Sequence, residues 1–94
     1  MNLQNFDEHI NPAVVARGEE YYSDGHVIKL TRTAAGGCVA VVQGSREYLV
    51  HVDINSRGDI IYSQCTCPYD GGPYCKHEVA VFFALAVWNL TRKS

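Results

Sequence analysis

Three of the four cysteines and one of the four histidines fall within residues 65–77, CTCPYDGGPYCKH. Cys65 and Cys67 form a Cys-x-Cys pair. After the seven-residue gap PYDGGPY, Cys75 and His77 form a Cys-x-His pair. Three sulfurs and one imidazole are the number and kind of ligands that a tetrahedral structural zinc site uses. If Cys65 and Cys67 end a strand, their side chains point to one face. Their Cα atoms then lie roughly 6–7 Å apart, close enough for both sulfurs to reach one ion. The gap, with two prolines, two glycines and an aspartate, suits a reversal of the chain. The apolar run after His77 suits a helix. Cys75 and His77 would stand at its start, where the helix dipole favours thiolate over thiol.

The spacing is not that of the Cys2His2 finger, in which a longer segment separates the ligand pairs. It resembles the SWIM-type zinc finger, whose motif is Cys-x-Cys, a variable gap, then Cys-x-His. All four ligand positions match, and Pro68 stands where a proline usually follows the Cys-x-Cys pair. Upstream, ARGEEYYSDGHV at residues 16–27 is similar to the lead-in of many bacterial SWIM domains. The resemblance implies zinc binding, with recognition of DNA or protein, in a family found within larger DNA-processing assemblies. Two other uses of the cysteines are open. Disulfides suit an oxidising compartment, but Met1 leads into the polar NLQNFDEHI rather than a charged and then apolar leader. An intracellular, cytoplasmic setting is therefore expected, where a cysteine cluster binds metal or does chemistry. A redox dithiol needs only the Cys-x-Cys pair and leaves Cys75 and His77 unexplained.

The elements that must hold these residues are few. A chain of 94 residues is expected to be one domain, 1–94, with a modest core that a metal staple would help to close. Its 47% hydrophobic content argues for a globular chain rather than a disordered one. The expected fold is α+β: a helical lead-in over 1–25, a four-stranded antiparallel meander over 26–65, and the zinc motif with a C-terminal helix over 65–91, docked through a structural zinc. In the lead-in, Asn11 suits an N-cap, Pro12 the first helical position and Gly25 the stop. Val14, Gly18, Tyr21 and Tyr22 share a core face. Gly18 in mid-helix suggests a close approach to a strand, or simple tolerance, and Arg17 is placed to stack on Tyr21 or to lie solvated.

The strands are read at His26–Arg32 with Ile28 and Leu30 on one face, valine-rich Cys38–Gln43, Glu47–Ile54 with Tyr48, Val50, Val52 and Ile54 inward, and Asp59–Cys65 carrying Ile60 and Tyr62. AAGG at 34–37, a two-residue Gly44-Ser45 hairpin and NSRG at 55–58 link them. In the last helix Val79, Phe82, Phe83, Ala86 and Leu90 form one apolar face, and Val81, Leu85 and Trp88 another. The second face is either covered by the lead-in or meets a partner. Its 12-residue stretch VAVFFALAVWNL is too short to span a bilayer. This helix is expected to be the first element lost when metal is removed.

The remaining candidates are weighed against plainer roles. Cys38 reads as a small buried apolar residue. His9, His26 and His51 have no ligand partners at suitable spacing. Asp70 and Glu78 flank the cluster but are not needed as ligands. Lys76 could reach a phosphate or a carboxylate, or be solvated. The net charge of −2, moving to about −3 when three thiols lose protons to a divalent ion, disfavours binding nucleic acid by charge alone. The expected function is a non-catalytic zinc-binding recognition module, acting on a protein partner or in a larger DNA-binding assembly, with weak direct nucleic-acid binding. A purely protein-binding adaptor is the alternative, ahead of a dithiol oxidoreductase or zinc hydrolase.

Overall fold

The computed structural model describes residues 1–33, 36–68 and 74–92. Its element order is α1 (Phe6–His9), α2 (Pro12–Ser23), β1 (Val27–Arg32), β2 (Gly37–Gln43), β3 (Glu47–Ile54), β4 (Ile60–Cys65) and α3 (Lys76–Arg92). The four strands form one antiparallel sheet in the order β1-β2-β3-β4. The α+β architecture and the meander are those read from the sequence.

The lead-in is less helical than expected. Residues 1–5 run beside the start of β4: Asn2 bridges Asp59, Ile60 N–H donates to Met1 O, and Leu3 N–H donates to Gly58 O. The short α1 then ends at an extended Ile10, and Asn11 that follows is also non-helical, at ψ 124°, because Pro12 disfavours helical geometry at the residue before it. Asn11 restarts the helix, its side chain accepting from Ala13 N–H with Pro12 at the first position. Gly25, at φ +79°, takes the left-handed turn after α2 that a residue with a Cβ resists.

Register decides which side chains face inward. Cys38, Ala40 and Val42 of β2 and Val50, Val52 and Ile54 of β3 line the buried face. The pairs Val50↔Cys65 and Val52↔Ser63 continue that face onto β4, so Cys65 and Ser63 both look at the core. Each edge strand pairing carries an irregularity. Val27 pairs with Val42 but Lys29 with Val41, so Ile28 is the extra residue of a bulge. It lies exposed while Val27 and Leu30 pack on the core, which corrects the pairing of Ile28 with Leu30. Likewise Asp53 pairs with Tyr62 but Ile54 with Ile60, so Ile60 turns in and Tyr62 turns out. Bulges of this kind also blunt edge strands against pairing with other chains. The β2–β3 link is three residues, since Gln43 pairs with Glu47; Gly44 N–H donates to Arg46 O across it. The Asn55–Gly58 link is a turn in which Asn55 Oδ1 accepts from Arg57 and Asp59 N–H.

Helix α3 is the centre of the molecule, touching every strand on one side and packing closely along α2 on the other. Val79, Ala80, Val81, Phe82 and Leu85 are buried. Phe6 packs edge-on to Phe82 and Phe83, and Tyr22 stacks on Phe83. The described residues of both apolar faces are therefore buried or partly buried within the chain. Trp88 is half-buried with the Arg32 guanidinium 5.2 Å from its ring centroid. Gly18 permits the α2–α3 crossing: a Cβ there would collide with the Val79 side chain and lie 3.1 Å from Ala80 N. Its close approach is to a helix, not to a strand. The side chain of Leu90 lies outside the described residues, as do Ala34 and Ala35 of the expected AAGG link and residues 69–73 of the expected turn.

Candidate metal centre

The sheet delivers one half of the cluster and α3 the other. Cys65 is the last residue of β4, and Cys67 lies just beyond the strand end. Cys75 directly precedes α3, its carbonyl accepting from Val79 N–H, and His77 is in the helix's first turn. The Sγ atoms of the three cysteines and a ring nitrogen of His77 all lie within 4.8 Å of one another. His77 Nδ1 is 3.8 Å from both Cys65 Sγ and Cys75 Sγ. With Zn–S near about 2.3 Å and Zn–N near about 2.0 Å, a tetrahedron spaces its donor atoms roughly 3.5–3.8 Å apart. The donor set and its separations thus fit a four-coordinate metal ion, and they leave no open position for water or substrate.

The imidazole is held by aromatic neighbours. Tyr48, at the end of the core-facing row of β3, stacks on His77 at 4.4 Å with an interplanar angle of 29°. Tyr21 of α2 meets it edge-on at 5.4 Å and also packs on His26 at 4.5 Å. Lys76, rather than Arg17, supplies the cation over Tyr21, with Nζ 4.9 Å from the ring centroid. A groove of about 480 Å³ opens beside the cluster, lined among others by Val14, Arg17, Tyr48, Pro68 and Lys76.

The neighbouring Cys65 and burial change the thiol chemistry expected at a helix start. The Cys75 thiol is pushed well above the usual range, first by a hydrogen bond shared with Cys65 and then by loss of solvent, against the lowering effect of His77 and a backbone contact. A metal ion reverses the balance, because thiolates are its ligands and their protons are displaced on binding.

Glu78 was set aside in the sequence, and the structure gives it a place. It is buried; Oε1 accepts from Cys75 N–H at 3.0 Å and Oε2 accepts from the Ser63 hydroxyl. A glutamate three residues after the residue that caps a helix was the available signal. Cys38 is buried in β2, away from the cluster. Its thiol is pushed up to about 11 by burial, partly offset by Arg32. His26 Nδ1 donates to Gln43 O, His51 Nε2 pairs with Asp53 at 3.0 Å, and His9 is exposed. Asp70 lies outside the described residues.

The SWIM zinc finger family matches residues 48–86. The match begins at Tyr48, which stacks on His77, and covers β3, β4, the cluster and most of the described part of α3. The upstream lead-in at residues 16–27 lies outside it. No curated protein and no solved structure matches the chain. Fingers of this family are structural rather than catalytic. No helix among the described residues is long and apolar enough to cross a membrane. Residues 48–86 of this chain match the SWIM zinc finger family, and the Cys3His cluster lies within that match.

Proposed function

We propose that Cys65, Cys67, Cys75 and His77 bind one structural Zn²⁺ and that the chain is a non-catalytic recognition module, contributing to DNA or protein binding within a larger cytoplasmic assembly. The observation that carries the zinc reading is the convergence of four ligating atoms from a strand end and a helix start. Bound zinc supplies a rigid cross-link between those two elements. Tyr48 and Tyr21 orient the imidazole, and the register of β4 aims Cys65 inward.

Charge and exposure favour a protein contact over autonomous binding to duplex DNA. Arg32 is engaged with Trp88 and Arg57 with Asp59; only Arg17 and Lys76 share the groove beside the cluster. Val79, Val81, Phe82 and Leu85 of α3 are buried within the chain, while Val87 beside Trp88 is exposed, so a contact surface on α3 is confined to its later turns. Further exposed apolar side chains sit on the outer sheet face, at Val39, Leu49 and Tyr62, and at the edge bulges, at Ile28 and Ile61. Each phosphate contact adds roughly 0.9 to the slope of log affinity against log salt. A duplex-DNA titration at several salt concentrations is expected to show weak binding with a slope worth about two or three contacts. Tight binding at physiological salt with a steep slope would make the chain an autonomous DNA-binding domain. No binding to any nucleic acid would leave the protein-binding adaptor.

A further inference from the structure

Glu78 is 5% exposed, and no lysine or arginine pairs with it among the described residues. A buried carboxylate in that position persists only if its oxygens are well hydrogen-bonded. Its two oxygens are used in different directions. Oε1 takes the backbone N–H of Cys75, in the helix-side arm of the cluster. Oε2 takes the hydroxyl of Ser63, two residues before Cys65 on the same inward face of β4. One carboxylate therefore ties the strand that carries one ligand pair to the backbone that carries the other.

We propose that Glu78 is a positioning residue: a metal-independent latch that sets the separation of the Cys-x-Cys and Cys-x-His arms before the ion arrives. The proposal rests on the zinc reading above for its consequence and on the two hydrogen bonds for its geometry. A helix cap alone would need only the Oε1 contact to Cys75 and would be indifferent to Ser63. The Ser63 contact crosses from helix to sheet and gives the carboxylate a second role. Neighbours that orient ligands typically alter metal affinity about 10–100-fold when removed.

The test uses the full chain with Glu78→Ala, Ser63→Ala, the double variant and Glu78→Gln. Zinc affinity is measured by competition with a chromogenic chelator, and Co²⁺ absorption reports the coordination. Glu78→Ala is expected to weaken zinc binding by about 10–100-fold while the Co²⁺ spectrum remains that of a tetrahedral three-thiolate site. Ser63→Ala weakens it less, and the double variant is no worse than Glu78→Ala, because Ser63 acts through Glu78. Glu78→Gln, which keeps an acceptor for Cys75 N–H and a partner for Ser63, recovers most of the loss. Unchanged affinity in both single variants, or losses that simply add, would overturn the proposal. Should Glu78→Ala fail to fold, Ser63→Ala carries the comparison. Hydrogen exchange at the Cys75 amide of metal-free protein separates the latch from the zinc reading. Slow exchange in the native chain and fast exchange in Glu78→Ala and Ser63→Ala supports the latch even if no zinc is taken up; equal exchange in all three overturns it.

Discussion

The first turn of α3 and the two turns after it are buried to nearly the same degree by opposite means. In the first turn the buried side chains are polar, His77 and Glu78, each 5% exposed. They are fixed by directional contacts: ring stacking from Tyr48, proximity to the sulfurs of Cys65 and Cys75, and hydrogen bonds from Ser63 and Cys75. In the next turns Val79, Val81, Phe82 and Leu85 are buried at 0–1% and are held by apolar area removed from water, which needs no special direction. The contrast teaches that α3 has two independent anchors. The helix is the middle layer of the core, so the expectation that it would be the first element lost without metal gives way to one in which the core outlasts the site.

Metal removal breaks the comparison most strongly. Structural zinc contributes on the order of 10 kcal/mol in finger peptides, so chelation is expected to lower the melting temperature sharply. Hydrogen-exchange protection should nevertheless persist in residues 79–86 and across β2 and β3. Protection lost from 79–86 ahead of the sheet would show that the apolar anchor does not hold alone.

The converse change attacks the other anchor. Phe82→Ala leaves a cavity between Phe6, Tyr74 and the sheet and is expected to cost about 3–5 kcal/mol while leaving the zinc stoichiometry unchanged. Denaturant unfolding with zinc present reads the first quantity and metal analysis of the folded fraction the second. Gly18→Ala probes the α2–α3 crossing. Alanine is the better helix former by about 1 kcal/mol, yet the collision with Val79 is expected to outweigh that, with a net loss of about 1–3 kcal/mol. A more stable Gly18→Ala protein would show that the crossing relaxes freely.

An effect of similar size, seen only at high pH, belongs to Cys38. Its thiol titrates near 9 when exposed and about 11 in the fold. The raised value means that stability is intact below pH 9 and falls as pH rises from 9 towards 11, because the unfolded chain releases the proton first. The expected loss is about 1–3 kcal/mol. It should appear as the difference between native protein and Cys38→Ala in unfolding midpoints across that range; parallel pH curves would contradict it.

Much of the frame was legible in sequence because each signal was local. Asn11-Pro12, Gly25 and the alternation of Tyr48, Val50, Val52 and Ile54 act through neighbours a few residues away, and they appear as read. The errors arise where tertiary contacts override local pattern. The bulges at Ile28 and Ile61 invert an alternation that looks regular in sequence. Residues 1–5 are drawn to β4 by backbone pairing that no periodicity reports. Gly18 answers to Val79, 61 positions away. At the site, the four donors were legible because ligand types and spacing are written in one stretch. Tyr21, Tyr48, Ser63 and the second contact of Glu78 were not, because they come to the cluster from α2, β3 and β4.

The central claim is that one zinc ion is held by Cys65, Cys67, Cys75 and His77. Its most direct test is metal content per folded chain, with Co²⁺ absorption alongside, for serine variants of the four cysteines and for His77→Ala. One zinc per native chain is expected, with loss or severe weakening in Cys65→Ser, Cys67→Ser, Cys75→Ser and His77→Ala, and full retention in Cys38→Ser. Zinc lost from Cys38→Ser but kept by Cys67→Ser would contradict the ligand set, and a native chain without metal would contradict the account as a whole.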